Sequence, residues 1–232
     1  MTEPVKYTLE SSIAVVEMDD GKANALSVEM IAGVLAALTR AEGEAKAIVL
    51  AGRAERFCAG FDLRVMMSGP AQAMALLGRG SELLLRLYET PIPLVIACTG
   101  HALAGGALVV LTGDIRIGTA GAFKIGLNEV SLGMPVPVLA MELARDRLNK
   151  SELPRATLLA QIYDPEAALR AGYLDEVVPA GETLSRAKAE ATRLGGFPRS
   201  AYQATKLRLR RATIAHIRET FDDDLRTLMP GA

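Results

Sequence analysis

Tryptophan is absent from this 232-residue chain, aromatic residues make up only 4% of it, and it has two cysteines and two histidines. Each scarcity removes a class of protein. Cys58 and Cys98 sit inside apolar segments and not at framework spacings, so they read as reduced thiols of a cytoplasmic protein. With so few histidines and no Cys-x-x-Cys, no metal site is expected. The formal net charge is −1 and there are few rings on which bases stack, so nucleic acid is not the expected partner. Long apolar runs are missing too: Leu94 to Cys98 falls far short of the ~20 residues a bilayer requires. The start, Met1-Thr2-Glu3-Pro4-Val5-Lys6, lacks the charged-then-apolar layout of a signal peptide. Neither membrane association nor export is expected.

What the chain does have is apolar mass: half of its residues are hydrophobic, enough for one domain with a large core. Ile13 to Met18 reads as a strand ending at the turn Asp19-Asp20-Gly21. Ser27 caps a helix to about Ala41, with Met30, Ile31, Val34, Leu35 and Leu38 on one face. Ala47 to Leu50 is a brief buried strand. Pro70 opens a second amphipathic helix that stops near Thr90-Pro91. Leu94 to Thr99 is a strand ended by Gly100. Gly105-Gly106 then leads into an apolar helix from Ala107 to Leu111, with another strand around Asp114 to Ile117. This recurrence of strand and helix argues for an α/β fold with parallel pairing. After Leu148 the pattern becomes helical: Leu153 to Gln161, Pro165 to Ala171, Leu184 to Leu194, and Ser200 onward. Residues 1–148 therefore read as the core and 149–232 as a C-terminal helical region.

Two glycine turns follow apolar, strand-like runs: Phe57-Cys58-Ala59-Gly60-Phe61-Asp62-Leu63 and His101-Ala102-Leu103-Ala104-Gly105-Gly106. Glycine lets a ligand approach the backbone closely, and a following helix N-terminus adds partial positive charge to exposed N–H groups. Together such turns can hold a developing enolate oxygen, a device worth ~3 kcal/mol per donor. The plainer reading is that these glycines only turn the chain. Downstream, Glu129 in Gly126-Leu127-Asn128-Glu129 offers one carboxylate to move a proton; its plain alternative is a solvated charge or a helix cap. Asp62 and Asp114 read as caps or braces of turns, Cys58 as a packing residue and His101 as a turn residue with a satisfied ring. Met66, Met67 and Met74 suit either an adaptable pocket or the core. The basic run Lys206-Leu207-Arg208-Leu209-Arg210-Arg211, with His216 and Arg218, has the chemistry to meet RNA or nucleotide phosphates. A solvated helix face with its leucines packed inward is the preferred reading, and Asp222-Asp223-Asp224 offsets the charge.

At these motifs, and over nearly its whole length, the chain resembles the enoyl-CoA hydratase/isomerase (crotonase) superfamily. Gly21-Lys22-Ala23-Asn24-Ala25-Leu26-Ser27 is similar to that family's first CoA-contacting loop, and the two glycine turns to its oxyanion loops. The resemblance implies a spiral of ββα units with C-terminal helices that build trimers or dimers of trimers. It implies oxyanion N–H groups at Phe61 and Gly105. Contacts to an acyl-CoA are implied at Lys22, Ala23, Ala25, Ala59, Gly60, Asp62, Leu63, Gly106 and Leu108. No cofactor is implied, because CoA arrives as part of the substrate. In hydratases of the family a first glutamate follows the second glycine turn and a second one follows it at the Glu129 position. Here the first position is Leu108, so only Glu129 is present, as in Δ3,Δ2-enoyl-CoA isomerases, which the stretch Ala104 to Glu129 also resembles. The resemblance thus implies isomerisation of a 3-enoyl-CoA to the trans-2-enoyl-CoA, within fatty acid β-oxidation. The rivals are a hydratase or other crotonase reaction using Asp62 or Glu55 as second acid, and a non-catalytic acyl-CoA- or RNA-binding protein. Gly133-Met134-Pro135-Val136-Pro137 lacks the paired glycines many members carry there, which implies an unusual acyl-pocket floor.

Overall fold

A computed structural model describes residues 3–228. It opens with an antiparallel hairpin of β1 (Val5–Glu10) and β2 (Ile13–Met18). Helix α1 (Val28–Glu44) follows, and Ser27 Oγ accepts the Met30 N–H at 3.2 Å as its N-terminal cap. The chain then repeats one unit: a strand, a shorter strand, and a helix. The first unit is β3 (Ala47–Gly52), β4 (Glu55–Cys58), the short α2 (Leu63–Met66) and α3 (Pro70–Glu89). The second is β5 (Leu94–Cys98), β6 (Gly100–Leu103) and α4 (Gly105–Thr112). The third is β7 (Ile115–Thr119), β8 (Ile125–Gly126), a 3₁₀ turn over Val130–Leu132 and α5 (Val138–Arg147). The remainder is α6 (Leu153–Thr157), α7 (Pro165–Ala171), β9 (Glu176–Val178), α8 (Thr183–Gly195) and α9 (Arg199–Thr227).

The first strand of each unit enters one sheet and the second enters another. The large sheet runs β1-β2-β3-β5-β7-β9, parallel from β2 onward, and the small one runs β4-β6-β8, also parallel. This is the expected spiral. The apolar runs at β3 and β5 have a direct physical reason, because both faces of the large sheet are covered. Ile48, Leu50, Leu94 and Ile96 face the main core with α1 and α3, while Val49, Val95 and Ala97 face Ala187, Ala191 and Leu194 of α8.

The region after residue 148 departs from its all-helical expectation. Glu176–Val178 is a strand that extends the large sheet beside β7, and the helix expected over 153–161 ends at Thr157. The basic run is also inverted relative to expectation. Lys206 and Arg210 are buried, whereas Leu207 and Leu209 are 57% and 75% exposed. Lys206 Nζ reaches Asp114 Oδ2 at 2.7 Å and Arg210 Nη2 reaches Asp114 Oδ1 at 2.8 Å. The Arg210 guanidinium also lies over the Tyr88 ring, 4.1 Å from its centroid. Asp114 therefore braces more than a turn: it ties α9 to the body of the fold, and two of the basic side chains are withdrawn from any surface. Among the described residues no helix is long and apolar enough to cross a membrane.

Candidate active site

The site is built by stitching three loops together. The Asp20 carboxylate organises the first, accepting the N–H groups of Lys22 at 2.7 Å and Asn24 at 2.9 Å on Oδ1 and that of Ala25 at 3.1 Å on Oδ2. Asn24, fully buried with φ +53, donates from its amide to the carbonyls of Met18 at 2.7 Å and Arg56 at 3.0 Å. Backbone bonds then join this loop to the first glycine turn: Ala59 N to Ala23 O at 3.1 Å and Leu26 N to Gly60 O at 2.8 Å. The two glycine turns touch in their turn. A Cβ placed on Gly60, whose φ is +96, would stand 3.0 Å from Leu103 O and 3.3 Å from Gly105 N. A side chain on Gly106 would overlap the Cys58 carbonyl, and one on Gly80 of α3 would overlap the Phe61 ring. Glycine is required at both places by close approach.

The Phe61 N–H and the Gly105 N–H have no hydrogen-bond acceptor within the chain among the described residues, although their neighbours do. Asp62 N donates to Leu26 O, and Ala104 N donates to Gly126 O at 3.0 Å. Gly105 is the first residue of α4, so its free N–H stands at the positive end of a helix. Ala104, immediately before it, has φ +47 and ψ −122, a conformation that costs a residue with a Cβ of order 1–3 kcal/mol. Sequence reasoning did not single out Ala104, because nothing in an alanine signals a left-handed φ.

Strand β8 pairs with β6 beside the second glycine turn, and this carries Glu129 to the same place. The Glu129 carbonyl closes the following 3₁₀ turn by accepting Leu132 N at 2.9 Å and Met134 N at 3.0 Å. Glu129 is 6% exposed, and its Oε2 is buried without a hydrogen-bond partner. Burial pushes the carboxyl above the ordinary glutamate range, against a smaller opposing pull from the backbone N–H groups of Glu129 and Asn128. Asn128 Oδ1 is likewise buried and unpartnered. Glu129 is thus neither a solvated charge nor a side-chain cap.

A cavity of about 500 Å³ joins these parts. Phe61, Ala104, Leu108 and Glu129 line it, with Ala59 and Leu63 from the first turn, Met66 at the end of α2 and Met67 just after it. Leu132, Met134, Pro135 and Pro137 supply a floor of aliphatic side chains in place of glycines. Of the carboxylates among the described residues, only Glu129 lines the cavity. Met74 is not part of this wall.

The other expected site residues fall elsewhere. Asp62 caps α2 and accepts Arg64 N at 2.9 Å; the Arg64 side-chain bond holds its carboxyl below the usual range even though burial opposes this. Glu55 is exposed on β4, away from the cavity. Neither supplies a second acid. Lys22 is exposed and lines a separate surface depression, while Ala23 and Ala25 hold the loop frame and do not line the cavity. Gly106 acts through packing. His101 accepts Lys124 N on Nδ1 at 3.0 Å and sits edge-on to Phe123, and burial pushes the Cys58 thiol up to about 12, so both are structural. Sequence reasoning missed Leu77, Leu103, Asn128 and Leu228 as cavity residues.

A family model described as enoyl-CoA hydratase/isomerase matches residues 8–229. Human enoyl-CoA delta isomerase 1, mitochondrial, is 31% identical over 224 residues, 94% of this chain and 74% of its own length. A probable enoyl-CoA hydratase of Rhodobacter capsulatus is also 31% identical, over 208 residues covering 87% of this chain and 79% of its own. Among solved structures, the apo enoyl-CoA isomerase of Mycobacterium tuberculosis has a TM-score of 0.91 at 41% identity, covering 96% of this chain and 97% of that one.

Proposed function

The chain belongs to the enoyl-CoA hydratase/isomerase family, and we propose that it moves a double bond, converting a 3-enoyl-CoA to the trans-2-enoyl-CoA. The observation that carries this reading is the single buried carboxylate. Hydration calls for two acids to hold and split a water molecule, and the cavity offers Glu129 with Leu108 as the other wall. Leu108 is 3% exposed and aliphatic, so it holds no water and keeps the surroundings of Glu129 apolar.

The thioester oxygen accepts the free N–H groups of Phe61 and Gly105. Glu129 takes a proton from C2, the electron pair passes into the carbonyl as an enolate, and the N–H groups stabilise the oxyanion. The same carboxylic acid returns the proton at C4, leaving the double bond between C2 and C3. One base serving both steps works best with a pKa near the operating pH, the direction in which burial drives Glu129. The reaction needs no group beyond the substrate and these residues.

Human enoyl-CoA delta isomerase 1 and the Rhodobacter capsulatus probable hydratase are each 31% identical to this chain, and an assay separates the two reactions. The protein is incubated with 3-hexenoyl-CoA and, separately, with crotonyl-CoA, while conjugated-enoyl absorbance is followed. Absorbance gained with 3-hexenoyl-CoA and held with crotonyl-CoA is the expected result. Loss of crotonyl-CoA absorbance without isomerisation would overturn it in favour of hydration. The outward Leu207 and Leu209 also fit the homo-oligomer that the family resemblance implies, which sedimentation tests.

A further inference from the structure

The cavity at Glu129 does not end at its apolar wall. Phe61, Leu77, Leu108, Pro137 and Leu228 line it on one side and line a second, narrow cleft of about 30 Å³ on the other. The cleft runs on under α9, between Leu84, Leu139 and Ile217. At its far end it shares Ser81 and Phe221 with an open groove of about 350 Å³ between α3 and α9. The shared residues set the Glu129 cavity, the cleft and the groove in series beside the last turns of α9. The cleft is the neck of this series: its wall is mainly apolar, with Ser81, Thr220 and Asp224 as its polar members, and it is too narrow for an alkyl chain as it stands.

What holds the neck closed is the end of α9. Leu228, half-buried, contributes to both cavities. One turn earlier, Asp224 Oδ2 accepts the Val138 N–H at 2.7 Å. That N–H opens α5, whose N-terminus has Pro137 as cap residue and no side-chain cap of its own. An aspartate there also meets the positive end of the helix. The last turns of α9 are thus fastened to α5 by this bond directly beside the neck, with Leu228 set across the path.

We propose that Leu228, held by the Asp224–Val138 latch, sets the length of acyl tail this site accepts. Tails that fit the first cavity end against Leu228, and longer ones bind only as Leu228 withdraws and opens the neck toward the α3–α9 groove. This inference rests on the reading of the site as an acyl-CoA site, but not on which reaction it performs. The wall is mainly apolar, so each further methylene that enters adds roughly fourfold to affinity, and one that meets a wall adds nothing.

The test measures dissociation constants of the full-length protein for saturated hexanoyl-, octanoyl-, decanoyl-, dodecanoyl- and tetradecanoyl-CoA by calorimetry. In parallel, kcat/KM is measured for the matching 3-enoyl-CoAs. The unchanged protein should gain affinity along the series and then level off. In Leu228→Ala the gain should continue to longer chains, raising the tetradecanoyl-to-hexanoyl affinity ratio about tenfold or more. Asp224→Ala should move the ratio in the same direction, and Leu228→Trp should make it level off earlier. Identical length profiles in all four proteins would overturn the proposal, as would a uniform loss of affinity at every length in Leu228→Ala. Shifted affinity profiles without isomerisation would leave the length inference standing and remove the isomerase reading. No binding of any acyl-CoA would remove both.

Discussion

Replacing Glu129 by Gln separates what the carboxylate does for chemistry from what it costs the fold. Glu129 is 6% exposed, and Oε2 has no partner. Burial raises its pKa, so the folded state favours the protonated acid more than the unfolded chain does. The sign of the linkage follows. Below the ordinary glutamate value the side chain is neutral in both states and costs nothing as a charge. As pH rises through that value and then through the raised folded value, the folded protein must keep a carboxylate dehydrated, and stability is lost. A buried unsatisfied polar group costs ~1–3 kcal/mol, and Gln retains a neutral polar atom there, so the relief should fall near ~1 kcal/mol. In a domain of this size that raises Tm by about 2–4 °C. The gain should be present at pH 8 and vanish below about pH 4, where Glu129 is itself protonated. Activity should move the other way, falling roughly a hundred- to ten-thousand-fold with 3-hexenoyl-CoA through loss of the base. Scanning calorimetry at both pH values and the absorbance assay read the two effects independently. A variant within about threefold of the parent rate would refute the assignment of Glu129 as base. A lower Tm at pH 8 would show that the buried carboxylate is satisfied in a way the geometry does not contain.

Three further outcomes follow from the same structure. Leu108→Glu puts a second carboxyl into a low-dielectric cavity that already holds Glu129; the two cannot both ionise readily, so the pH midpoint of isomerase activity should move upward and the rate at pH 7 should fall, as a pH–rate profile would reveal. Asp114→Ala leaves Lys206 and Arg210 buried without their counter-ion, a change worth ~3–5 kcal/mol, so Tm should drop by about 10 °C in thermal unfolding. Although burial opposes ionisation of Asp114, Lys206 and Arg210 hold its carboxyl below the usual range; the stability it provides is therefore present above the ordinary aspartate value and lost as pH falls through the depressed one. Gly106→Ala drives a Cβ into the Cys58 carbonyl, so it should yield little folded protein, whereas Gly43→Ala, with open space around its Cβ, should express and melt like the parent.

The elements legible in the sequence are those whose determinants are local. Ser27 before a 3.6-residue apolar period places α1, Pro70 places α3, and short runs without polar interruption mark strands covered on both faces. Strands β6 and β8 left no such mark. They occupy Gly100–Leu103 and Ile125–Gly126, too brief for any period to show, and exist because the spiral lays them beside one another. The α9 stripe was read inside out for a related reason. Propensity and period place leucines inward by default, but Lys206 and Arg210 are buried because Asp114, 92 residues from Lys206 in sequence, waits at the same depth. A partner that distant leaves no trace in a window of one helix.

The site follows the same division, with one difference that bears on how it works. Its glycines were legible because close approach demands them, and Glu129 because of the motif around it. What stayed hidden were the places where a residue sits against its own preference: Ala104 at φ +47, and a glutamate oxygen buried without a partner. Each is a local cost of order 1–3 kcal/mol that the surrounding structure must offset. Ala104 is held by bonds on both sides, from its own N–H to Gly126 O and from Leu108 N to its carbonyl, each at 3.0 Å. These bonds fix the peptide from which α4 begins, with the Gly105 N–H left free; the first comes from β8, the strand that also delivers Glu129, and the second from α4 itself. Strained turn, free donor and buried base are therefore one construction. Relaxing the turn would move the donor relative to the base, which is why the conflict with local preference is concentrated where β6, β8 and α4 meet.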